Sequence, residues 1–321
     1  MRMAERDGVR VPVIDIGGLS APDADARLAV AAQLHVACAD TGCFYVTNHG
    51  VPEATVASVF TAAKRFFDQP LALKERIPIR QNRGYDGIGA QVLDHAIGGD
   101  FKESVLFGVE LGADHPLVRA GKPNYAVNPW PEGLPGFRSA VGGYFAALHD
   151  LSRRLLAGLA LSLDQPWDYF EAGMVEPMSS VRLLHYPPHP TADPAREMGA
   201  AAHTDWEVIS ILAQDDTGGL EIQLPSGEWL PASPRPGCFV VNLGDMMARW
   251  TNDRYTSTRH RVMNRSAKDR YSVVFFCDPA YDTRIECLPS CTGPDQPPRY
   301  APTTCGEHLA EMYRLSYGAA A

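Results

Sequence analysis

The sequence predicts a mainly β chain with added α-helix (α+β), its core a double-stranded β-helix, or jelly roll, with N-terminal helices before it and a C-terminal helix after it. Three observations predict this. After Met178 short β-prone runs alternate with turn signals every eight to twelve residues or so. Ahead of that point apolar residues recur at helical spacing. Near the end, Thr304-x-x-Glu307 is a capping box that opens a last helix through Tyr317.

Taken in order, the Ala-rich stretch from Asp23 to Asp40 reads as a helix, stopped by Thr41-Gly42 and followed by the apolar run Cys43–Thr47. A second helix is expected over Glu53–Phe67, with Pro52 at its start, and a longer one over Phe137–Leu163. Residues 78–136 are rich in Gly, Pro and Asn and show weak periodicity. The β-prone runs are Ser180–Tyr186, Glu207–Ala213, Leu220–Leu224, Glu228–Pro231, Cys238–Leu243, Thr258–Met263 and Arg270–Cys277. Asp216-Thr-Gly-Gly219 and Pro225-Ser-Gly227 are the clearest hairpin turns. The expected organisation is a helical or mixed region over 1–115, a long-helix connection over 116–177, the β core over 178–285 and a tail with its helix over 286–321.

The 321 residues carry a net charge of −9, with arginines scattered rather than gathered, so there is no basic footprint for nucleic acid. No stretch approaches a membrane span, and Met1–Val13 has no apolar signal region, so a cytoplasmic protein is expected. Seven cysteines, without a CxxC pair, fit reduced thiols; Cys287 and Cys291 lack a neighbouring histidine for a zinc knuckle.

His203-Thr-Asp205 places His and Asp two apart, so on an extended strand both side chains leave one face and can grip one ion. His260 offers a third ligand. Two imidazoles and a carboxylate on one face, with the opposite positions open, is the donor set of non-haem Fe(II) oxygenases. His-x-Asp alone is common, and a hydrogen-bonded structural histidine on a strand stays open as the other reading. Arg270 and Ser272 again share a strand face, where a guanidinium can hold a carboxylate bidentately and the hydroxyl can add a bond. A surface arginine with a hairpin serine is the alternative.

The chain resembles the isopenicillin N synthase-like branch of the Fe(II)/2-oxoglutarate-dependent dioxygenases. Thr41-Gly-Cys-Phe-Tyr-Val-Thr-Asn48-His49-Gly50-Val-Pro52 is similar to that family's GFF-x-x-x-NHG-V-P segment, and Phe66-Phe67 and Lys74 follow. Leu184-His-Tyr186-Pro-Pro188, His203-Thr-Asp205, Gln214-Asp-Asp-x-Gly-Gly-Leu220, Val241-Asn242-Leu-Gly244-Asp245, His260-Arg-Val262 and Arg270-x-Ser272 keep the family's order. The resemblance implies Fe(II) on His203, Asp205 and His260, 2-oxoglutarate held by Arg270 and Ser272 with a contact from Tyr186, and O₂ as the second cosubstrate. Leu184 departs from the Asn that plant flavonoid members often carry there.

By resemblance the reaction oxidises a small molecule, most simply by hydroxylation, with succinate and CO₂ as products. Two other readings share the triad: an iron oxidase or cyclase of the isopenicillin N synthase type that needs no 2-oxoglutarate, and a zinc hydrolase, for which no HExxH motif is present. The substrate pocket is expected between the β core and residues 81–107, with Arg83, Tyr85, Glu103 and Phe276 at an amino acid or a similar polar metabolite. The other reading of that segment is a solvated loop. Asn242, Gly244 and Asp245 are expected to shape a turn, and His49, His185 and His189 to be structural or exposed.

Overall fold

The computed structural model describes residues 10–189, 191, 193 and 197–317. Its helices are α1 (Ala24–Asp40), α2 (Glu53–Phe67), α3 (Leu71–Lys74), α4 (Pro116–Arg119), α5 (Phe137–Ser162), α6 (Asp245–Trp250) and α7 (Cys305–Tyr317). The first strands are β1 (Val13–Asp15), β2 (Cys43–Thr47), β3 (Gly84–Asp86), β4 (Glu103–Gly108) and β5 (Ser180–Tyr186). There follow β6 (Ala200–His203), β7 (Ile209–Gln214), β8 (Leu220–Gln223), β9 (Trp229–Pro231), β10 (Phe239–Leu243), β11 (His260–Val262) and β12 (Arg270–Cys277). A short pair, β13 (Arg284–Ile285) and β14 (Thr303–Thr304), closes the tail.

Local chemistry sets the boundaries. Asp23 caps α1 by accepting from the Asp25 N–H, as N-cap carboxylates do. Gly42, at φ 63°, then turns the chain into β2, and a Cβ there would lie 1.9 Å from the Thr256 carbonyl oxygen, so only glycine fits. The capping box of α7 is closed in both directions: Glu307 N–H donates to Thr304 Oγ1 at 3.3 Å and Thr304 N–H to Glu307 Oε2 at 3.1 Å.

Eight strands form one sheet in the order β1-β2-β10-β7-β12-β5-β4-β3, and four form a second in the order β6-β11-β8-β9. All pairings between these strands are antiparallel except β1 with β2. Side-chain parity divides the large sheet. Phe44, Val105, Leu183, Ile211, Val241, Val273 and Phe275 point to one face and join α1, α2 and α5 in the main hydrophobic cluster. Tyr45, Leu184, Tyr186, Val240 and Val274 point to the other and meet Ala200, Leu220, Ile222 and Val262 of the small sheet. A cavity lies between these two layers.

Three expectations change. β3 and β4 lie within 78–136, where periodicity is weak, because the two strands are short and buried on both faces and so do not alternate. The strand carrying His203 ends at that residue, so Asp205 sits in the following loop rather than on an extended strand. Asn242 is inside β10, and the turn begins only at Gly244. Among the described residues no helix is long and apolar enough to cross a membrane.

Candidate active site

The register of the large sheet gives the cavity floor as four rows of side chains. Arg270 stands beside Tyr186, Ser272 between Gln214 and Leu184, Val274 between Leu212 and Arg182, and Phe276 between Ser210 and Ser180. Asn242 extends the last row beyond Ser210. The cavity they floor is also lined by His203, Asp205, His260, Lys102, Gln91 and Tyr313.

Pairing of β6 with β11 sets His203 directly opposite His260, with ring centroids 4.3 Å apart. One ligand atom from each of His203, Asp205 and His260 lies within 4.8 Å of the others. Asp205 Oδ1 is 3.6 Å from His260 Nε2 and 3.9 Å from His203 Nε2. The loop holding Asp205 is fixed from behind, since Asp245 N–H donates to its carbonyl at 2.9 Å. Gly244 permits that approach: a Cβ there would lie 1.9 Å from the Glu207 carbonyl oxygen.

Each histidine turns Nδ1 toward a backbone carbonyl, His203 to Ala201 at 2.7 Å and His260 to Thr258 at 3.1 Å. A carbonyl accepts only from N–H, which assigns the proton to Nδ1 and leaves both Nε2 lone pairs facing inward. Burial, and next the neighbouring His260, push the His203 pKa well below its ordinary value. Two imidazole lone pairs and a carboxylate oxygen therefore converge in a buried space, an arrangement that a cation relieves, and the donor set fits Fe(II).

Arg270 is fully buried, and the hydrogen-bond partners of its guanidinium among the described residues are neutral oxygens. Its Nε donates to the Gly218 carbonyl at 2.6 Å, Nη1 to Ser272 Oγ at 3.3 Å and Nη2 to Gln214 Oε1 at 3.4 Å, while its carbon sits 4.7 Å from the Tyr186 ring centroid. A buried guanidinium surrounded only by neutral oxygens is costly without an anion, and the cavity beside it is where one can bind. These contacts fit the distal carboxylate of 2-oxoglutarate.

The structure places the expected substrate residues apart. Phe276 lines the cavity. Glu103 and Tyr85 point to the helix side of the sheet, where Glu103 bonds Lys74 and Tyr85, both at 2.6 Å, and His185 at 2.7 Å. Arg83 is buried against Gly108, donating to Asn124 O at 2.7 Å and Asn128 Oδ1 at 3.2 Å. The reason is parity: Glu103 belongs to the odd-numbered face of β4, and the residues that reach the cavity are Lys102 and Leu106.

Sequence reasoning missed Lys102, Arg182, Gln91, Ser210 and Glu207. Arg182 was within reach of the parity argument, being two and four residues from Leu184 and Tyr186 on β5. It donates to Ser104 Oγ at 3.0 Å and pairs with Asp86 at 3.4 Å. Lys102 pairs with Asp100, and burial lowers its pKa to about 8 against that pull. Burial, then Asp278 and Asp205, push the Glu207 carboxyl well above its ordinary range. Trp206 stacks edge-on with Tyr313 of α7, so the last helix covers part of the cavity. Of the histidines set aside, His49 accepts from Val51 N–H and His185 lies between Glu103 and Asp269.

Residues 177–279 match the 2OG-Fe(II) oxygenase superfamily, and residues 11–133 match the N-terminal region described for the non-haem dioxygenase in morphine synthesis. The 2-oxoglutarate-Fe(II) type oxidoreductase hxnY of Emericella nidulans is 37% identical over 317 residues, covering 96% of this chain and 91% of that one. A homoarginine-6-hydroxylase of Glycine max is 34% identical, covering 87% and 88%. The crystal structure of a full-length Neurospora crassa protein in complex with alpha-KG and thymine superposes with a TM-score of 0.85 at 27% identity, over 97% of this chain and 98% of that one.

Proposed function

The chain belongs to the 2OG-Fe(II) oxygenase superfamily, and from that premise we propose that it oxidises a small polar molecule at the metal-facing end of this cavity. It is a 2-oxoglutarate-dependent non-haem iron oxygenase. In our reading His203, Asp205 and His260 hold Fe(II) on one face and leave the other face open. Arg270 and Ser272 hold the distal carboxylate of 2-oxoglutarate, with the Tyr186 ring backing the guanidinium. When bound, the iron supplies reduction of O₂ coupled to conversion of 2-oxoglutarate to succinate and CO₂, with oxidation of a substrate C–H bond. Leu184, Leu212, Val262 and Val274 keep water from the space between the two ends. The observation that carries this reading is the buried Arg270 bonded to neutral oxygens, in one cavity with three converging ligand atoms.

For the substrate, the reading rests on Lys102, Arg182 and Gln91, whose side chains line the cavity and whose heads carry N–H donors. They suit a molecule presenting a carboxylate or carbonyl oxygen, such as an amino acid or a related metabolite. The relative that hydroxylates homoarginine and the neighbour crystallised with thymine act on or bind molecules of that size and polarity. The test is a panel of amino acids, N-heterocycles and apolar terpenoids, scored by succinate release with Fe(II), 2-oxoglutarate and O₂. Arg182→Leu should raise the KM of the best substrate and leave that of 2-oxoglutarate unchanged. Stoichiometric succinate with an apolar substrate alone would refute the polar assignment, and full turnover without 2-oxoglutarate would refute the cosubstrate role.

A further inference from the structure

We propose that Asn242 and Ser210 form a relay that fixes the Asp205 carboxylate, making both positioning residues for the metal-binding face. The inference rests on the assignment of Asp205 as a ligand. Ser210 and Asn242 stand opposite each other on β7 and β10 and are 1% and 2% exposed. The Ser210 hydroxyl donates to Asp205 Oδ2. A hydroxyl has one hydrogen, so toward Asn242 it can only accept, and Asn242 Nδ2 donates to it at 3.4 Å. That sequence of donors fixes the orientation of the amide. It also leaves Asn242 Oδ1 buried, without a partner among the described residues, as an acceptor for an N–H or O–H of whatever occupies the cavity.

The relay has a consequence at the ligand. It holds Oδ2, and the oxygen left over, Oδ1, is the one that faces His203 Nε2 and His260 Nε2. The terminal torsion of a carboxylate is soft, so an unrestrained Asp205 can rotate or offer both oxygens at once. A second oxygen would fill a position that the open face requires. Ser210 and Asn242 thus keep the carboxylate a one-oxygen ligand.

The test is Mn(II) binding to the metal-free full chain, followed by calorimetry and by electron paramagnetic resonance. Ser210→Ala is expected to weaken binding on the order of 10- to 100-fold, the usual range for removing a partner of a metal ligand. Asn242→Ala should weaken it less, and the double variant should be no weaker than Ser210→Ala, because Asn242 acts through the hydroxyl. Ser210→Thr, which keeps the hydroxyl, should restore affinity, and that rescue separates the hydroxyl's role from a general loss of stability. Wild-type affinity in Ser210→Ala, or losses that add in the double variant, would overturn the relay. Should Ser210→Ala not fold, wild-type affinity in Asn242→Ala overturns it equally. Asp205→Ala separates the two levels: if it binds Mn(II) normally the ligand assignment fails, whereas if it loses binding and Ser210→Ala does not, only the relay fails.

Discussion

Replacing Arg270 by lysine isolates the cosubstrate site from the metal site. A guanidinium has five N–H donors, and in the structure one goes to Gly218 O, one to Ser272 Oγ and one to Gln214 Oε1. The two remaining are one on each terminal nitrogen, which leaves the guanidinium two N–H donors for a carboxylate. Lysine keeps the charge but presents a point, and it leaves part of that set of acceptors unsatisfied. Losing one charge-assisted hydrogen bond costs about 1.5–3 kcal/mol, so the 2-oxoglutarate Kd and KM should rise on the order of 10- to 100-fold. The assay is succinate release against 2-oxoglutarate concentration, with Mn(II) affinity as the control for the intact metal site. An unchanged 2-oxoglutarate KM in Arg270→Lys would remove Arg270 from the cosubstrate site, and a parallel loss of Mn(II) binding would show that the two sites are not separate.

Further outcomes follow from the same geometry. His203→Ala, Asp205→Ala and His260→Ala should each abolish turnover and metal binding while circular dichroism stays that of the parent; activity in any one removes that residue from the triad. Gly244→Ala should destabilise by about 1–3 kcal/mol, the range for overpacking, because its Cβ would lie 1.9 Å from the Glu207 carbonyl oxygen, and a parental unfolding midpoint would contradict the packing. His308, which donates from Nε2 to the Trp206 carbonyl at 3.0 Å, has its pKa lowered from 6.5 to about 4, chiefly by burial. Below pH 6.5 the unfolded chain takes up a proton that the folded one refuses, so stability should fall between pH 6.5 and 4 by on the order of 3 kcal/mol and level off beneath. Denaturant midpoints measured down that range should fall less steeply in His308→Phe, and equal slopes would remove His308 as the cause.

The clustering of His203, Asp205 and His260 was legible in the sequence from ordered motifs, and the shared face of Arg270 and Ser272 from the simple parity of one strand. Arg270 and Ser272 do share a face of β12, and Ser180–Tyr186 and Arg270–Cys277 are strands over the residues expected. The geometry of Asp205 was less legible: β6 stops at His203, and what brings the carboxylate to the imidazoles is the loop held by Asp245 and Gly244, a tertiary contact. Asn242 reads as a turn residue from its neighbours Gly244 and Asp245, yet pairing with β2 and β7 keeps it extended. The substrate wall was the hardest. β4 is buried along its whole length, so no alternation marks which residues face the cavity. A charge chosen one position along, Glu103 for Lys102, lands on the opposite side of the sheet.

The coupling of iron, 2-oxoglutarate and substrate in one cavity is measured by loading the metal-free protein anaerobically with Fe(II), admitting O₂, and following 2-oxoglutarate consumed and succinate formed with the best substrate from the panel. The wild type should give succinate and oxidised product in equal amounts, and Asp205→Ala neither. Substrate oxidation without consumption of 2-oxoglutarate, or succinate formed equally well by Asp205→Ala, would contradict that coupling.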